Sequence, residues 1–457
     1  MPVSSRSVEP SFAERMAEAS NGLYSAYVDH CDVLRIPRIA HFAGEIDLPG
    51  SKSIANRALL LAALGTRPGH PCLLRRLPDS DDVNVLRRIL PELGVRVEAT
   101  ENGVRIESDH PRLSPAEGEF YVENAGTAMR PLLAALSALK GNYLIYGNDQ
   151  MNRRPIGDLA RRLESLGVEV ETAEGGCPPV RIRSQGWQKG EAHIAGKTSS
   201  QFVSAMLMAA PLAERDFQLI LQDDPVSKPY IDLTVSMMSD FGVRVERDGY
   251  RRFNVPGDQQ YEAPESYEIE GDASAATYFL SLGALPGQGP VRVRGLGRRS
   301  VQGDRDYAEV LQQMGASVEI SEHWMECRGA NTLRALDLDM NAMPDAAMTL
   351  ATLNLFADGV SRIRNIGNLR VKESERIAGL RQEMEKTGAK VEEGPDYLVI
   401  HPPSAIREAR IETYRDHRMA MAFSLLSAAS IVEIEDPGCV KKTYPDYFLD
   451  FARIAKS

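Results

Sequence analysis

The stretch LGVRVE at residues 93–98 decides the fold, because the same pattern returns four more times along the chain. In each copy a glycine follows an apolar segment and leads into a valine–glutamate pair. The copies are LGVRVE at Gly94, LGVEVE at Gly167, FGVRVE at Gly242, MGASVE at Gly315 and TGAKVE at Gly388. Their spacings are 73, 75, 73 and 73 residues. A fixed period of this length indicates a chain built from copies of one supersecondary unit.

A second series of segments, rich in small apolar residues, runs in step with the first. These six predicted helices are spaced 75, 72, 73, 73 and 72 residues apart when they are anchored at Lys52, Thr127, Ser199, Asp272, Asp345 and His417. They are apolar nearly all round, which indicates buried helices. Between them lie amphipathic helices such as PIGDLARRLESLG. Each period is therefore predicted to form a βαβαββ unit with one buried and one solvated helix.

Six buried helices but only five hairpins are visible, because the sixth hairpin would fall past the last residue, Ser457. The segment HFAGEIDLPG (residues 41–50) alternates like a strand, and we expect it to supply the missing piece. An open solenoid is disfavoured, because the end units lack the polar surface that capping repeats carry. The prediction is a two-layer α/β protein of two domains with three units each.

The chain is expected to pass between these domains near positions 49–50 and to return near positions 270–271. This predicts an N-terminal extension of residues 1–36, a discontinuous domain of residues 37–50 and 271–457, and a second domain of residues 51–270. The extension is expected to contain a possible short helix and no chemistry.

Composition narrows the functional classes. The chain has 457 residues, a net charge of −11, 43% hydrophobic residues and 26% charged residues. The negative charge argues against a broad nucleic-acid-binding surface, and no apolar run is long enough to span a membrane. The five cysteines are scattered without metal-ligand spacing, so we expect free thiols in a reducing compartment, the cytoplasm. The first residues lack an apolar signal core.

Polar residues concentrate at the starts of the predicted buried helices. The residues of interest are Lys52, Ser53 and Arg57 in the first, Gly126 in the second, Ser199, Ser200 and Gln201 in the third, and Ser227 in a following loop. Helix N-termini expose N–H groups and attract anions. A helix cap or a plain turn explains any one of these motifs taken singly. A nucleotide P-loop is excluded, because five residues rather than four separate Gly44 from Gly50.

Cations also occur before helices, where they oppose the helix dipole. These cations are Arg153 and Arg154, Arg418 after His417, and Lys441 and Lys442. Lys372 and Arg376 are predicted to lie four apart on one helix face, a repulsive spacing unless an anion sits between them. Glu373 could be that anion, and each cation alone could be solvated. Together they predict one pocket for phosphate and carboxylate groups.

Two acids lie within this set. Asp345 precedes a buried helix, so it is either an N-cap or a general base. Glu373 could donate a proton if burial raised its pKa, or it could orient Lys372. Asp272 is interpreted as a cap near the domain crossing. The sequence has no Cys/His metal cluster, no Ser-His-Asp pattern and no dinucleotide fingerprint.

Several segments together resemble one enzyme family. They are PGSKSIANRALLLAAL, NAGTAMRPL, RRPIGDL, SSQF, SKPYID, PDAAMT, NLRVKESER, DHRMAMAFSL and KTYPDYF, in this order. From about residue 45 onward the chain is similar to the 3-phosphoshikimate 1-carboxyvinyltransferase (EPSP synthase) family. The resemblance implies a two-domain inverted α/β fold whose cleft closes on the first substrate. It implies transfer of the enolpyruvyl group of phosphoenolpyruvate to the 5-hydroxyl of shikimate 3-phosphate, without metal or organic cofactor, by a monomer.

The resemblance also implies residue roles. Shikimate 3-phosphate would be held by Lys52, Ser53, Arg57, Ser199, Ser200, Gln201, Ser227, Asp345, Asn368 and Lys372. Phosphoenolpyruvate would be held by Lys52, Gly126, Arg154, Gln201, Arg376, Arg418 and Lys442. Asp345 would take the hydroxyl proton, and Glu373 and Lys52 would move protons at the methylene carbon. Glyphosate would compete with phosphoenolpyruvate.

Three rival classes share parts of the pattern. The transferases that act on UDP-N-acetylglucosamine carry a GAKN-type first motif and a loop cysteine, whereas this chain has GSKS and no cysteine in that loop. RNA 3′-phosphate cyclases would need a nucleotide site and a catalytic histidine, and His417 is the only histidine in a motif. A non-catalytic binding protein would be expected to lack Asp345 or Glu373.

Overall fold

The structure is a computed structural model that describes residues 31–110, 113 and 115–456. The short helix expected in the N-terminal extension lies outside the described residues. In the described part of the chain the α-helices come in pairs, one pair for each unit. The buried helices are Lys52–Gly65, Gly126–Ala138, Ser200–Ala209, Ala273–Ala284, Ala346–Leu353 and His417–Phe423. The outer helices are Asp81–Ile89, Gly157–Ser165, Lys228–Asp240, Tyr307–Gln313, Arg376–Lys386 and Tyr447–Ile454. Each buried helix begins within one residue of its predicted anchor.

Six sheets cover the helices. In order across each sheet, the first contains Ser266–Glu268, Cys72–Arg75, Gly103–Ser108 and Val95–Thr100, and the second Glu117–Tyr121, Lys140–Tyr146, Cys177–Gln185 and Glu169–Ala173. The third contains Glu191–Ile194, Phe217–Leu221, Arg252–Val255 and Glu246–Asp248, and the fourth Gly44–Asp47, Val291–Arg294, Trp324–Arg328 and Ser317–Ile320. The fifth contains Asp337–Asp339, Ser361–Arg364, Leu398–His401 and Lys390–Glu393, and the sixth Ala409–Ile411, Val432–Glu435 and Val33–Ile36. Two further pairs are Leu333–Arg334 with Ala357–Asp358, and His41–Phe42 with Ala455–Lys456.

Every sheet has the same internal pattern. Its first two strands are parallel, and its remaining strands pair antiparallel. A buried helix joins the first two strands in the second, third, fifth and sixth sheets, whereas in the first and fourth sheets they come from distant parts of the chain. The predicted six-unit α/β fold is confirmed. The glycine that marks each repeat has a positive φ of 81° at Gly94, 95° at Gly167, 83° at Gly242, 107° at Gly315 and 97° at Gly388. This left-handed conformation ends the outer helix and starts the hairpin, and only glycine adopts it without steric cost.

Two separate hydrophobic cores hold these units. One core is drawn from residues 54–269 and the other from residues 34–48 together with residues 273–454. We call the parts built on them the first half and the second half. The chain passes between the halves twice, side by side, where Gly50 forms a bridge with Gly271. The Ser51 N–H donates to the Glu270 carbonyl at 2.7 Å, and the Asp272 N–H donates to the Pro49 carbonyl at 2.9 Å.

The two halves exchange strands at these crossings. Gly44–Asp47, which precedes the first buried helix, pairs with Val291–Arg294 of the fourth sheet. Ser266–Glu268, which precedes the fourth buried helix, pairs with Cys72–Arg75 of the first sheet. The expectation that residues 41–50 complete the sixth unit is therefore wrong for Gly44–Asp47, which complete the fourth sheet beside Val291–Arg294. His41–Phe42 do pair with Ala455–Lys456 at the end of the sixth unit.

The sixth sheet is completed from further upstream. Val33–Ile36 pairs antiparallel with Val432–Glu435, and the side chains of Leu34 and Ile36 are buried in the second core. These residues fall inside the extension predicted as residues 1–36, so that boundary lies too far along the chain. The physical reason is the missing sixth hairpin, which leaves an open sheet edge that this strand covers.

Candidate active site

The N-termini of five of the six buried helices, all but Ala273–Ala284, converge on a cavity between the two halves. It is lined from the first half by Lys52, Ser53, Arg57, Asp82, Gly126, Thr127, Arg154, Ser200, Gln201, Ser227 and Tyr230, and from the second by Asp345, Lys372, Glu373, Arg376 and Arg418. Most residues singled out from sequence therefore surround one volume.

A second compartment of about 460 Å³ shares a wall with this cavity. Its polar lining is Arg130, Arg154, Thr198, Ser199, Ser200, Gln201, Ser227, Asn368 and Lys372. Ser199 and Asn368, which were predicted as site residues and do not line the larger cavity, line this compartment. Ser199 also caps the third buried helix by accepting a hydrogen bond from the Gln201 N–H at 3.2 Å. No carboxylate is among the lining residues, and the three cations and several hydroxyls suit a phosphate group.

Asp345 lies at the centre of the cations of the second half. Its carboxylate is 2.9 Å from Arg418 Nη2, 3.0 Å from Arg376 Nη1 and 3.9 Å from Lys372 Nζ. Tyr230 of the first half donates its hydroxyl proton to Asp345 Oδ2 at 3.3 Å. Burial alone would raise the pKa of Asp345, but these cations hold it well below its ordinary value. Asp345 precedes the helix Ala346–Leu353 without a side-chain cap bond, so the interpretation as a helix cap is wrong.

Glu373 is similarly enclosed by cations. Its carboxylate lies 2.8 Å from Arg376 Nη2, 3.7 Å from Arg154 Nη1 and 4.0 Å from Lys442 Nζ. Burial favours the protonated form, but these charges lower the pKa of Glu373 well below its ordinary value. The condition that burial raises its pKa is therefore not met, and Glu373 is ionised in this arrangement.

Arg376 is held on three sides by carboxylates, those of Asp345, Glu373 and Asp416. Its Nε donates to Asp416 Oδ2 at 2.8 Å, and Asp416 also caps the sixth buried helix by accepting from the Arg418 N–H at 3.0 Å. The helix starts only at Arg376, so the prediction that Lys372 shares a helix face with it is wrong. The two cations meet instead at Asp345, which replaces Glu373 as their common partner.

The cations of the first half have different partners. Arg57 donates to Thr234 Oγ1 at 2.8 Å and to the Ser53 carbonyl at 2.9 Å, and burial lowers its pKa to about 10. Among the described residues Arg130 donates to Met151 Sδ alone, at 3.6 Å, and burial together with the charge of Arg154 lowers its pKa. Neither guanidinium has a carboxylate partner in the described part of the chain.

Two lysines from opposite halves meet at a carboxylate. Lys52 Nζ lies 3.2 Å from Asp82 Oδ2, and Lys442 Nζ lies 2.5 Å from Asp82 Oδ1. Lys442 also donates to the Asn124 carbonyl at 2.6 Å. The predicted Lys442 thus reaches the site through Asp82, which lines the cavity.

Gly126 is closely surrounded by arginines. A Cβ placed there would lie 2.7 Å from both Arg130 Nη1 and Arg154 Nη2. The absence of a side chain therefore lets two guanidinium groups approach the start of the second buried helix.

The two halves touch at the second compartment. Asn368 Nδ2 donates to Ser227 Oγ at 3.2 Å, and the Ser227 N–H donates to Asn341 Oδ1 at 3.1 Å. Ser227 has a φ of 55°, an uncommon conformation for a serine that these contacts hold in place. The arrangement is a closed cleft.

Sequence reasoning missed two residues of the site. Asp82 carries no signal, because acids are common in the first turn of a helix. Asp416 could have been found as the acid before a buried helix, the pattern of an N-cap.

The fold and the site together define a two-domain α/β transferase with a cleft for small polyanions. The family model described as EPSP synthase (3-phosphoshikimate 1-carboxyvinyltransferase) matches residues 36–451. The chain is 47% identical over 428 residues to the 3-phosphoshikimate 1-carboxyvinyltransferase of Shewanella baltica strain OS185, covering 92% of this chain and 99% of that one. A relative from Klebsiella pneumoniae with the same name is 47% identical over 429 residues, with the same coverage. The chain therefore belongs to the EPSP synthase family.

Solved structures agree on the fold. The EPSP synthase of Acinetobacter baumannii superposes with a TM-score of 0.77 at 24% identity, covering 93% of this chain and 98% of that chain. The enolpyruvyl transferase NikO of Streptomyces tendae gives a TM-score of 0.74 at 18% identity, with coverages of 92% and 97%. The chain transfers the enolpyruvyl group of phosphoenolpyruvate to shikimate 3-phosphate, a step of aromatic amino acid biosynthesis. No helix among the described residues is long and apolar enough to cross a membrane.

Proposed function

We propose that both substrates bind in the closed cleft and that the sequence-predicted residues divide between them. The main support for this proposal is the second compartment. Three cations and several hydroxyl groups line it, and no carboxylate is among its lining residues. It fits the phosphate of shikimate 3-phosphate, with Ser199, Ser200, Ser227 and Lys372 as donors. Arg57, Ser53 and Asn368 then face the rest of this substrate.

Phosphoenolpyruvate occupies the part of the larger cavity where both halves contribute cations. Arg154 comes from the first half, and Arg376, Arg418 and Lys442 come from the second. The Gly126 backbone lets the ligand approach the helix N-terminus closely. Lys52 and Gln201 stand between the two substrates and contact both.

The chemistry is addition followed by elimination. The 5-hydroxyl oxygen adds to C2 of phosphoenolpyruvate as a proton joins the methylene carbon, and then a methyl proton and phosphate leave. Asp345 accepts the hydroxyl proton. Because its cations lower its pKa, Asp345 becomes a better base when the substrate anions share those cations. At the methylene carbon the Lys52 ammonium can donate, and the ionised Glu373 can accept.

Catalysis requires the cleft to open for substrates and to close on shikimate 3-phosphate. The moving bodies are a domain of residues 51–270 and a discontinuous domain that begins with the strand Val33–Ile36 and consists of residues 33–50 and 271–457, joined at positions 49–50 and 270–271. The two separate cores support this division. Radius of gyration by small-angle scattering should fall when shikimate 3-phosphate saturates the protein, and an unchanged value counts against closure.

The chain acts as a cytoplasmic monomer in this proposal. All five cysteines are free thiols, as suits a reducing compartment. Sedimentation equilibrium of the purified protein tests the monomer, and the mass of a dimer would contradict it.

Phosphate release with shikimate 3-phosphate and phosphoenolpyruvate tests the whole assignment. We expect wild-type turnover, and we expect Ser199→Ala and Arg154→Gln to raise the KM for shikimate 3-phosphate and phosphoenolpyruvate, respectively. Glyphosate should compete with phosphoenolpyruvate. Gly126→Ala should weaken the inhibitor more than the substrate, since the methyl group displaces Arg130 and Arg154. Equal losses would show that the pocket is misplaced.

A further inference from the structure

Gln150 connects the two halves at the mouth of the cleft, outside the set of residues that face the substrates. Its Nε2 donates to the Glu373 carbonyl at 3.1 Å and to the Tyr414 carbonyl at 3.4 Å, and both acceptors belong to the second half. Its Oε1 accepts from Asn124 Nδ2 at 3.0 Å within the first half. All three hydrogen bonds of the amide pair a donor with an acceptor, because carbonyl oxygens only accept and the Asn124 amide nitrogen only donates.

The partners of Gln150 are the supports of the phosphoenolpyruvate site. Asn124 accepts from Arg154 Nη1 through its side chain at 3.2 Å and through its carbonyl at 3.3 Å. The same carbonyl accepts from Lys442. Glu373, whose backbone Gln150 holds, carries the carboxylate that faces Arg154 at 3.7 Å. One amide thus ties the arginine and the acid to each other across the cleft.

The loop that carries Gln150 is rigid enough to transmit this tie. Asn148 Oδ1 accepts from the N–H groups of Gln150 and Met151, each at 3.1 Å. Asn152 Oδ1 accepts from the Gly147 N–H at 3.2 Å, and Asn152 Nδ2 donates to the Gly147 carbonyl at 3.0 Å. Arg154 follows on the same loop, so Gln150 and Arg154 move as one piece.

We propose that Gln150 is a positioning residue that locks the closed cleft so that Arg154 and Glu373 are aligned on phosphoenolpyruvate. The inference rests on the proposed substrate site. It predicts an effect on phosphoenolpyruvate and not on shikimate 3-phosphate, because the second compartment has its own contacts between the halves, from Asn368 to Ser227 and from Ser227 to Asn341.

The test uses two substitutions that separate the two ends of the amide. Gln150→Glu keeps an acceptor for Asn124 but turns a carboxylate oxygen toward two carbonyl oxygens, and it should raise the KM for phosphoenolpyruvate at least tenfold. Gln150→Lys keeps donors for both carbonyls and loses the bond to Asn124, and it should stay within about threefold of wild type. The KM for shikimate 3-phosphate should change less than twofold in both variants. The thermal midpoint of each ligand-free variant should equal that of the wild type.

Gln312→Glu is the matched control. Gln312 Nε2 also donates to a backbone carbonyl, that of Val318 at 3.1 Å, but within one half. It should leave both KM values unchanged. An unchanged KM for phosphoenolpyruvate in Gln150→Glu, or equal rises for both substrates, overturns the positioning role. Arg154→Gln separates the two proposals: if it too leaves that KM unchanged, the substrate site itself is wrong, whereas a rise in Arg154→Gln alone refutes only Gln150.

Discussion

Arg57 and Arg130 in the first half are as deeply buried as Arg376 and Arg418 in the second, with no more than 6% of any of these side chains exposed. The first pair has neutral oxygens and a thioether as partners, and burial lowers the pKa of both. For the second pair burial acts the same way, but nearby charges outweigh it and raise the pKa: those of Asp416, Glu373 and Asp345 for Arg376, and chiefly that of Asp345 for Arg418.

The difference shows two ways to prepare a cleft for anions. In the second half the cations are fixed in advance by carboxylates, which orient the guanidinium groups before a substrate arrives. Arg57 and Arg130 of the first half are desolvated without a carboxylate partner among the described residues, so an arriving anion gains their full interaction. The closed cleft brings the two kinds together around the same substrates.

We expect the largest effect from a substitution of Asp345, the carboxylate that Arg376 and Arg418 share. Asp345→Asn removes the proposed base, so turnover should fall by about 10²–10⁴-fold. It also leaves Arg376 and Arg418 without their shared counter-ion, so the thermal midpoint should fall as well, although a simple helix cap would tolerate asparagine. Phosphate release and thermal denaturation measure the two effects. Asp446→Asn is the control, because Asp446 also precedes a helix without a side-chain cap bond. Wild-type turnover in Asp345→Asn would refute the base.

A pair of arginine substitutions compares the halves directly. Arg376→Gln removes the cation that three buried carboxylates share and leaves Asp416 without its arginine, and breaking such a buried pair typically costs about 3–5 kcal/mol of stability. Arg57→Gln removes a cation that has no carboxylate partner, so its thermal midpoint should fall much less. Affinity for shikimate 3-phosphate should nevertheless drop at least tenfold in Arg57→Gln, as calorimetry can measure. Similar losses of stability in both variants would contradict the comparison.

Asp304 allows the same comparison for an acid, because this buried carboxyl of the second half forms no ion pair among the described residues. Burial and the charge of Asp345 raise its pKa from 3.8 to about 7. The folded protein therefore binds a proton that the unfolded chain has released, so the free energy of unfolding should decrease as pH rises from about 4 to about 7. Asp304→Asn should raise the thermal midpoint more at pH 8 than at pH 5. The control is Asp47→Asn at an exposed position, which should change the thermal midpoint by the same amount at pH 5 and at pH 8. If Asp304→Asn also changed the thermal midpoint equally at the two pH values, the raised pKa of Asp304 would be refuted.

The smallest expected effect concerns the N-terminus. A chain that starts at Cys31 should keep its activity within about twofold, since every residue of the proposed site lies beyond this point. A chain that starts at Pro37 loses the core side chains of Leu34 and Ile36, each worth about 1.5–3 kcal/mol. Steady-state kinetics of both truncated proteins measures the activity, and thermal denaturation measures the loss of stability. Loss of activity in the first, with the fold retained, would reveal a role for residues 1–30.

Most of the site could be predicted from sequence, because the repeat marks equivalent helix starts and the chemistry needs unusual residues there. Lys52, Ser200 and Arg418 illustrate this, since each lies at the beginning of a buried helix. The ionic partners could not be predicted. Asp82 and Asp416 are ordinary helix-start acids in sequence, and only the approach of distant units shows that they hold Lys442 and Arg376.

The sequence by itself determined the repeat, the number of units, the buried helices and the polyanion chemistry. These are local properties, because a left-handed glycine and an apolar helix leave their marks within a few residues. The tertiary structure decided which strand joins which sheet, and it moved residues 44–47 into the fourth sheet and residues 33–36 into the sixth. It also decided that Asp345 is an ion-pair centre and that Glu373 is ionised. Strand pairing and pKa depend on groups that are far apart in the chain, so local sequence does not specify them.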